Sequence, residues 1–249
     1  MAPLTQMSES PASSLVSYDL DNGVATLRID DGKRNALSPA VFEALYAAFD
    51  RAEKDKAIVI VTGRDDVFSA GFDLNVMKRG GPAALGMLYA GYGLPARILG
   101  FPYPVIVACN GHVLAMGVFM MLAADYVIGT RGDFNIAANE VAIGLPMPRV
   151  AAAMLEHRLT PAAWQRAVTL SEYFDTESAR AAGFFDELVE RSDLEDRARE
   201  LAAKFAELDM PAHTLSKRRI RGKLVRRLRL KRLRDMAEAA MLGLGGRRR

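Results

Sequence analysis

Two stretches of this 249-residue chain could do chemistry through their backbone rather than their side chains. One is VFSAGFDL at 67–74, and the other is CNGHVLAMGVF at 109–119. Each runs from an apolar, strand-like segment through small residues towards a helix-like one. A turn of that kind leaves N–H groups unpaired where a helix begins, and these can hold an anion or a developing oxyanion. Two such turns side by side would form a two-donor oxyanion hole. Two tight connections without chemistry are the other reading of the same residues. Several side-chain mechanisms drop out at once. The chain has no GxSxG elbow, no GxxxxGK[ST] phosphate loop, no HExxH and no GxGxxG behind a strand. His112, His157 and His213 are far apart and lack ligand spacing, so no metal is expected. Cys109 is the single cysteine and lies in an apolar run, where it reads as inert filler. Trp164 and His157 are assigned packing roles.

The elements around these turns follow from pattern. Residues 24–30 are β-branched and partly alternating, which predicts a strand. Ser38 before Pro39 is a helix start, with Val41, Phe42, Leu45, Tyr46 and Phe49 spaced along one face. The continuous apolar runs at 57–62 and 104–109 predict strands covered on both faces, and 126–130 is similar. Strands alternating with helices imply an α/β fold with parallel strands and crossover helices. Later segments read as helical: one from Thr160-Pro161, one from Asp175-Thr176 to Gly183, and a charged one over 194–208. Pro211 separates the last from a basic segment. Residues 1–13 read as a disordered leader, 14–193 as the core, and 194–249 as a C-terminal helical region with a basic tail.

Composition bounds the rest. Half of the residues are hydrophobic and a quarter charged, which excludes a disordered or fibrous chain. One cysteine excludes an intrachain disulfide and fits a reducing, cytoplasmic setting. No signal peptide is read, and the most apolar helix candidate, 113–124, is too short to span a bilayer. The net charge of +3 hides a split: residues 217–249 carry +12 and the preceding chain −9. Charge blocks of this kind point to a polyanion partner for the tail.

The two turns sit within a wider pattern. FSAGFDL at 68–74, Asn110-Gly111 with Ala115, Met116 and Gly117, and Ala124-Asp125 resemble the crotonase superfamily of enoyl-CoA hydratases and isomerases. FNIAANEVAIG at 134–144 with Pro146, and Ala179, Ala181 and Gly183 before Leu188-Val189, extend the resemblance over residues 16–215. It implies a spiral of ββα units with helices at the C-terminus, assembled as a homotrimer or hexamer. It also implies an acyl-CoA thioester as substrate, with no cofactor beyond the coenzyme A moiety. By position, the N–H groups of Phe72 and Met116 would bind the thioester oxygen. Ser69, Ala70, Gly71, Asp73, Leu74 and Gly117 would shape the turns and lie near the coenzyme.

Hydratases of this family use two glutamates. The first falls where this chain has Phe119, which can neither transfer a proton nor orient a water. The second matches Glu140. The Asn139-Glu140 pair and the apolar residue at 119 resemble the mitochondrial-type Δ3,Δ2-enoyl-CoA isomerases, in which one glutamate shuttles a proton between C2 and C4. Phe119 and Met116 are expected to dry the pocket and raise the pKa of Glu140. Met116 stands where the family usually has glycine, and a positive φ there would strain it. Hydration of a 2-enoyl-CoA and non-catalytic binding of acyl-CoA or nucleic acid are the alternatives. The basic segment 217–234 has three readings: a solvated face over an apolar stripe of Ile220, Leu224, Leu228 and Leu230 or Leu233; a partner for coenzyme A phosphates; or a surface for nucleic acid or an anionic membrane.

Overall fold

The computed structural model describes residues 15–241, so the leader at 1–13 and the arginines at 247–249 lie outside the described residues. The chain opens as an antiparallel pair, β1 (Val16–Asp21) and β2 (Val24–Ile29), joined where Asn22 and Gly23 both take positive φ. β3 (Ala36–Leu37) leads into α1 (Pro39–Lys54), whose start is capped as the sequence predicts: Ser38 Oγ accepts from the Val41 N–H. Val41, Phe42, Leu45 and Phe49 are buried beneath it, whereas Tyr46 is half-buried. The chain continues through β4 (Ile58–Thr62), β5 (Val67–Ser69), β6 (Gly71–Phe72), α2 (Leu74–Arg79) and α3 (Gly81–Leu99). Next come β7 (Val105–Cys109), β8 (His112–Leu114), α4 (Met116–Met121), β9 (Tyr126–Thr130) and β10 (Ile136–Ala137). The remainder is α5 (Arg149–Arg158), α6 (Pro161–Leu170), α7 (Thr176–Ala182), β11 (Glu187–Val189), α8 (Leu194–Ala206) and α9 (Met210–Met241).

Six strands form the main sheet in the order β1-β2-β4-β7-β9-β11, parallel throughout except for β1 against β2. Its two faces explain the continuous apolar runs. Val59 and Val61 of β4, with Val105, Val107 and Cys109 of β7, face the main core. Their neighbours Ile58, Ile60, Ile106 and Ala108 face Leu194, Ala198, Leu201 and Ala202 of α8. Alternate side chains point to opposite faces, so a strand covered on both sides has no polar position to spare. Two small sheets, β10-β8-β5 and β3-β6, stand beside the main one and carry the two glycine turns.

Two expectations need correction. The apolar run at 113–124 is not one helix: Val113 pairs with Ile136 as part of a strand, and only Met116–Met121 are helical. Hydrophobicity alone cannot separate a buried strand from a buried helix. Pro211 marks the boundary as expected: α8 ends at Ala206, and Pro211 sits in the first turn of a single 32-residue helix, α9, that carries the basic segment. The stripe beneath that helix also differs. Leu228 and Ala239 are buried and Leu224, Val225 and Met236 pack beside them, while Ile220, Leu230 and Leu233 are exposed.

The inner face of α9 is charged as well as apolar. Lys217 is buried against Asp125 and donates to the Tyr103 carbonyl (3.1 Å), while Arg221 pairs with the other Asp125 oxygen (2.9 Å). Burial lowers the Lys217 pKa to about 8. Among the described residues no helix is long and apolar enough to cross a membrane.

Candidate active site

The two glycine turns meet. Gly71 has a φ of +84°, and a Cβ placed on it would stand 2.8 Å from Ala115 Cβ, 3.0 Å from Leu114 O and 3.3 Å from Met116 N. A Cβ on Gly117 would come within 2.7 Å of Ser69 Cβ. Each glycine is therefore what lets one turn approach the other. Ser69 fixes the first turn from below: its Oγ donates to Asn35 O (2.8 Å) and accepts from the Gly71 N–H (3.1 Å). Asn110 fixes the second, accepting from the Gly63 N–H (2.9 Å) and donating to Arg64 O (2.8 Å) and Asp65 O (2.9 Å).

The directions of two backbone N–H groups follow from this framework. Asp73 N–H bonds Leu37 O (3.3 Å) across the β3–β6 ladder, so the preceding N–H, that of Phe72, is turned off the opposite edge. Met116 begins α4, where an N–H has no carbonyl one turn earlier to meet. The positive φ expected at Met116 falls instead on Ala115, at 49°, and Met116 is an ordinary buried helical residue.

Both turns border a cavity of about 580 Å³. Ala70, Phe72, Leu74, Ala115, Asn139 and Glu140 line it, together with apolar side chains such as Met77, Leu88, Leu114 and Ile143. Of the predicted site residues, Ser69, Gly71, Met116 and Gly117 lie behind the wall as packing. Asp73 serves the helix instead, its Oδ1 capping α2 by accepting from the Asn75 N–H (2.8 Å) and the Val76 N–H (3.3 Å). Phe119 and Met116 do not dry the cavity, because both are buried in the core away from it. Phe72, Leu88 and Ile143 supply that apolar wall instead.

Glu140 is 6% exposed, and its Oε2 has no hydrogen-bond partner. Burial pushes its pKa up to about 7, with a hydrogen bond from its own backbone opposing the shift. The backbone around it is held by the segment carrying Ser171 and Tyr173. Ser171 Oγ accepts from the Ala142 N–H (3.0 Å), Asn139 Nδ2 donates to the Tyr173 hydroxyl (3.1 Å), and Ile136 and Phe174 exchange backbone bonds. Cys109 is buried, its thiol pushed up to about 12, and His112 Nδ1 is taken by the Asn135 N–H (2.9 Å).

A family model described as enoyl-CoA hydratase/isomerase matches residues 19–239. The chain belongs to the enoyl-CoA hydratase/isomerase family. Solved structures agree on the fold. A hydratase/isomerase family protein from Pseudomonas syringae is 44% identical, covers 90% of this chain and 98% of its own, and superposes with a TM-score of 0.88. An enoyl-CoA hydratase from Mycobacterium marinum is 39% identical, with coverage of 90% and 99% and a TM-score of 0.86. Human mitochondrial Δ3-Δ2-enoyl-CoA isomerase is 28% identical, covers 90% of each chain, and gives a TM-score of 0.85. Members named for either reaction thus share this mixed α/β architecture.

Sequence reasoning missed part of the cavity wall: Tyr92 from α3, Arg149 from α5, and Asp235 and Glu238 from α9. The available signal was that Asp235 and Glu238 are the only acids in the basic tail and stand one helical turn apart.

Proposed function

We propose that this chain is a Δ3,Δ2-enoyl-CoA isomerase, in which Glu140 shuttles a proton across the face of an enolate. The carboxylate of Glu140 takes a proton from C2 of a 3-enoyl thioester. The C–H electron pair moves into the conjugated system, and the negative charge gathers on the thioester oxygen. The N–H groups of Phe72 and Met116 stabilise that charge, each donor accounting for about 10²–10³ in rate. Glu140 then returns the proton at C4, giving the 2-enoyl thioester with no water consumed. The observation that carries this reading is the buried Glu140 carboxyl, whose Oε2 is unpartnered, on the cavity beside the two joined turns; the other buried carboxyl there, Asp235, has both oxygens bonded. Phe119, at the position of a hydratase's other glutamate, is buried in the core and supplies no second acid or base.

Hydration of 2-enoyl-CoA is the competing reading, favoured by relatives that carry the hydratase name. Purified protein supplied with 3-enoyl-CoA and, separately, 2-enoyl-CoA decides between them. Double-bond migration should be the faster reaction by at least tenfold, and Glu140→Gln should abolish it while acyl-CoA binding persists. Faster hydration, or activity retained by the variant, sinks the proposal.

A further inference from the structure

The cavity reached by Glu140 is not apolar throughout. Where α3 and α9 meet the start of α5, its wall carries Tyr92, Arg149, Asp235 and Glu238. Asp235 is fully occupied. Its Oδ1 accepts from the Arg149 N–H and guanidinium, both at 3.1 Å, and its Oδ2 accepts from the Val150 N–H (2.9 Å). Glu238 meets the same guanidinium through Oε2 alone, and its Oε1 has no partner among the described residues. Tyr92 is only 8% exposed, yet its hydroxyl has no hydrogen-bond partner among the described residues. Its ring stands edge-on to Phe72 at 5.8 Å, so packing fixes where that hydroxyl lies. Burial, then the charges of Asp235, Glu140 and Glu238, hold the phenol protonated. The wall therefore presents the buried Tyr92 hydroxyl as a spare donor, beside the partly exposed Glu238 Oε1 and the remaining N–H groups of Arg149, and a plain alkyl chain packed there would desolvate the hydroxyl without replacing its water bond.

We propose that this patch binds a hydroxyl group carried on the acyl chain, remote from the thioester, so that the substrates are hydroxylated enoyl-CoA thioesters. Tyr92 and Glu238 are then specificity-determining residues. A hydroxyl can accept from Tyr92 and can donate to a carboxylate oxygen such as Glu238 Oε1, both on the wall of the same cavity. A methyl group does neither. A carboxylate meets two acids against one arginine, a surplus of negative charge that repels it. The inference rests on the acyl-CoA reading above and adds which acyl-CoA.

Affinity separates this inference from the reaction. The full chain is titrated with saturated acyl-CoAs of equal length, which it cannot isomerise: unsubstituted, hydroxylated at successive distal carbons, and ending in a carboxylate. At least one hydroxylated chain should bind about tenfold more tightly than the unsubstituted one, the gain expected from one or two added hydrogen bonds. The carboxylate should bind more weakly than either. Tyr92→Phe removes one oxygen and nothing else, and should bring the hydroxyl preference to about one; Glu238→Gln should reduce it. Binding without a hydroxyl preference, or a preference that survives in both variants, overturns this inference alone. Failure of every thioester to bind overturns the acyl-CoA reading and this inference with it.

Discussion

A carboxyl buried without a full set of partners is destabilising and at the same time more basic, and Glu140 has both properties. With a pKa of about 7 it is about half ionised at neutral pH and is far more basic than a free glutamate. The kcat/KM for 3-enoyl-CoA should therefore rise with pH through an apparent pKa near 7, because only the carboxylate can accept the C2 proton. Stability runs the other way. The native pKa lies above the unfolded value of 4.5, so between the two the native state holds more protons, and stability is lost as pH rises from about 4.5 to about 7. Glu140→Gln removes that loss. Urea unfolding at about pH 8 should show the variant more stable by something on the order of 3 kcal/mol, with little difference at about pH 4. An equal effect at both pH values would mean that charge burial is not the cause. The resemblance to the family's glutamate position was enough to single out Glu140. Its unpartnered oxygen was not legible, because it depends on Ser171 and Tyr173, thirty residues away, holding its turn.

At the scale of elements, the site depends on two short connections approaching within contact distance. Gly71 carries both a left-handed φ and the closest contact, so Gly71→Ala is strained in its own backbone and also pushes on Ala115 and Leu114. Relief requires the turns to part, and the Phe72 and Met116 donors would part with them. Turnover should fall by about 10²–10³, the cost of losing one oxyanion donor, while the melting transition persists. Turnover within a few-fold of the parent would show that the two turns need not touch. Such turns were legible through the linked motifs around them, since small residues after an apolar run read equally well as a tight connection. The helix start at Met116 was not, since the residues from Val113 to Ala124 are apolar whether they form strand, turn or helix. The strain expected at Met116 fell one residue earlier, on Ala115, for the same reason: a run of small and apolar residues does not mark where the chain turns.

Across the whole molecule, the charge split found in the sequence resolves into two faces of one helix. Lys217 and Arg221 turn inwards to Asp125, Arg227 reaches Glu156, and Arg232 stacks on Tyr89 at 4.1 Å. The other cations between Arg218 and Arg234 have no ion pair among the described residues, so they carry the tail's surplus charge. Composition counts charges but cannot say which face of a helix they occupy, and this is why the tail had three readings. Tertiary contact assigns part of the segment to the fold itself, and α9 even closes the cavity through Asp235 and Glu238. Asp125 is the hinge of that assignment: it receives Lys217, Arg221 and the Val105 N–H (2.8 Å). Asp125→Asn leaves Lys217, 5% exposed, without a counter-charge, and should cost about 3–5 kcal/mol in urea unfolding. Lys217→Met keeps a similar volume and leaves Asp125 paired with Arg221, so it should cost much less. That asymmetry separates charge from shape. If both substitutions cost the same, Lys217 is held by packing of its stem, and the basic face of α9 is anchored by shape rather than charge.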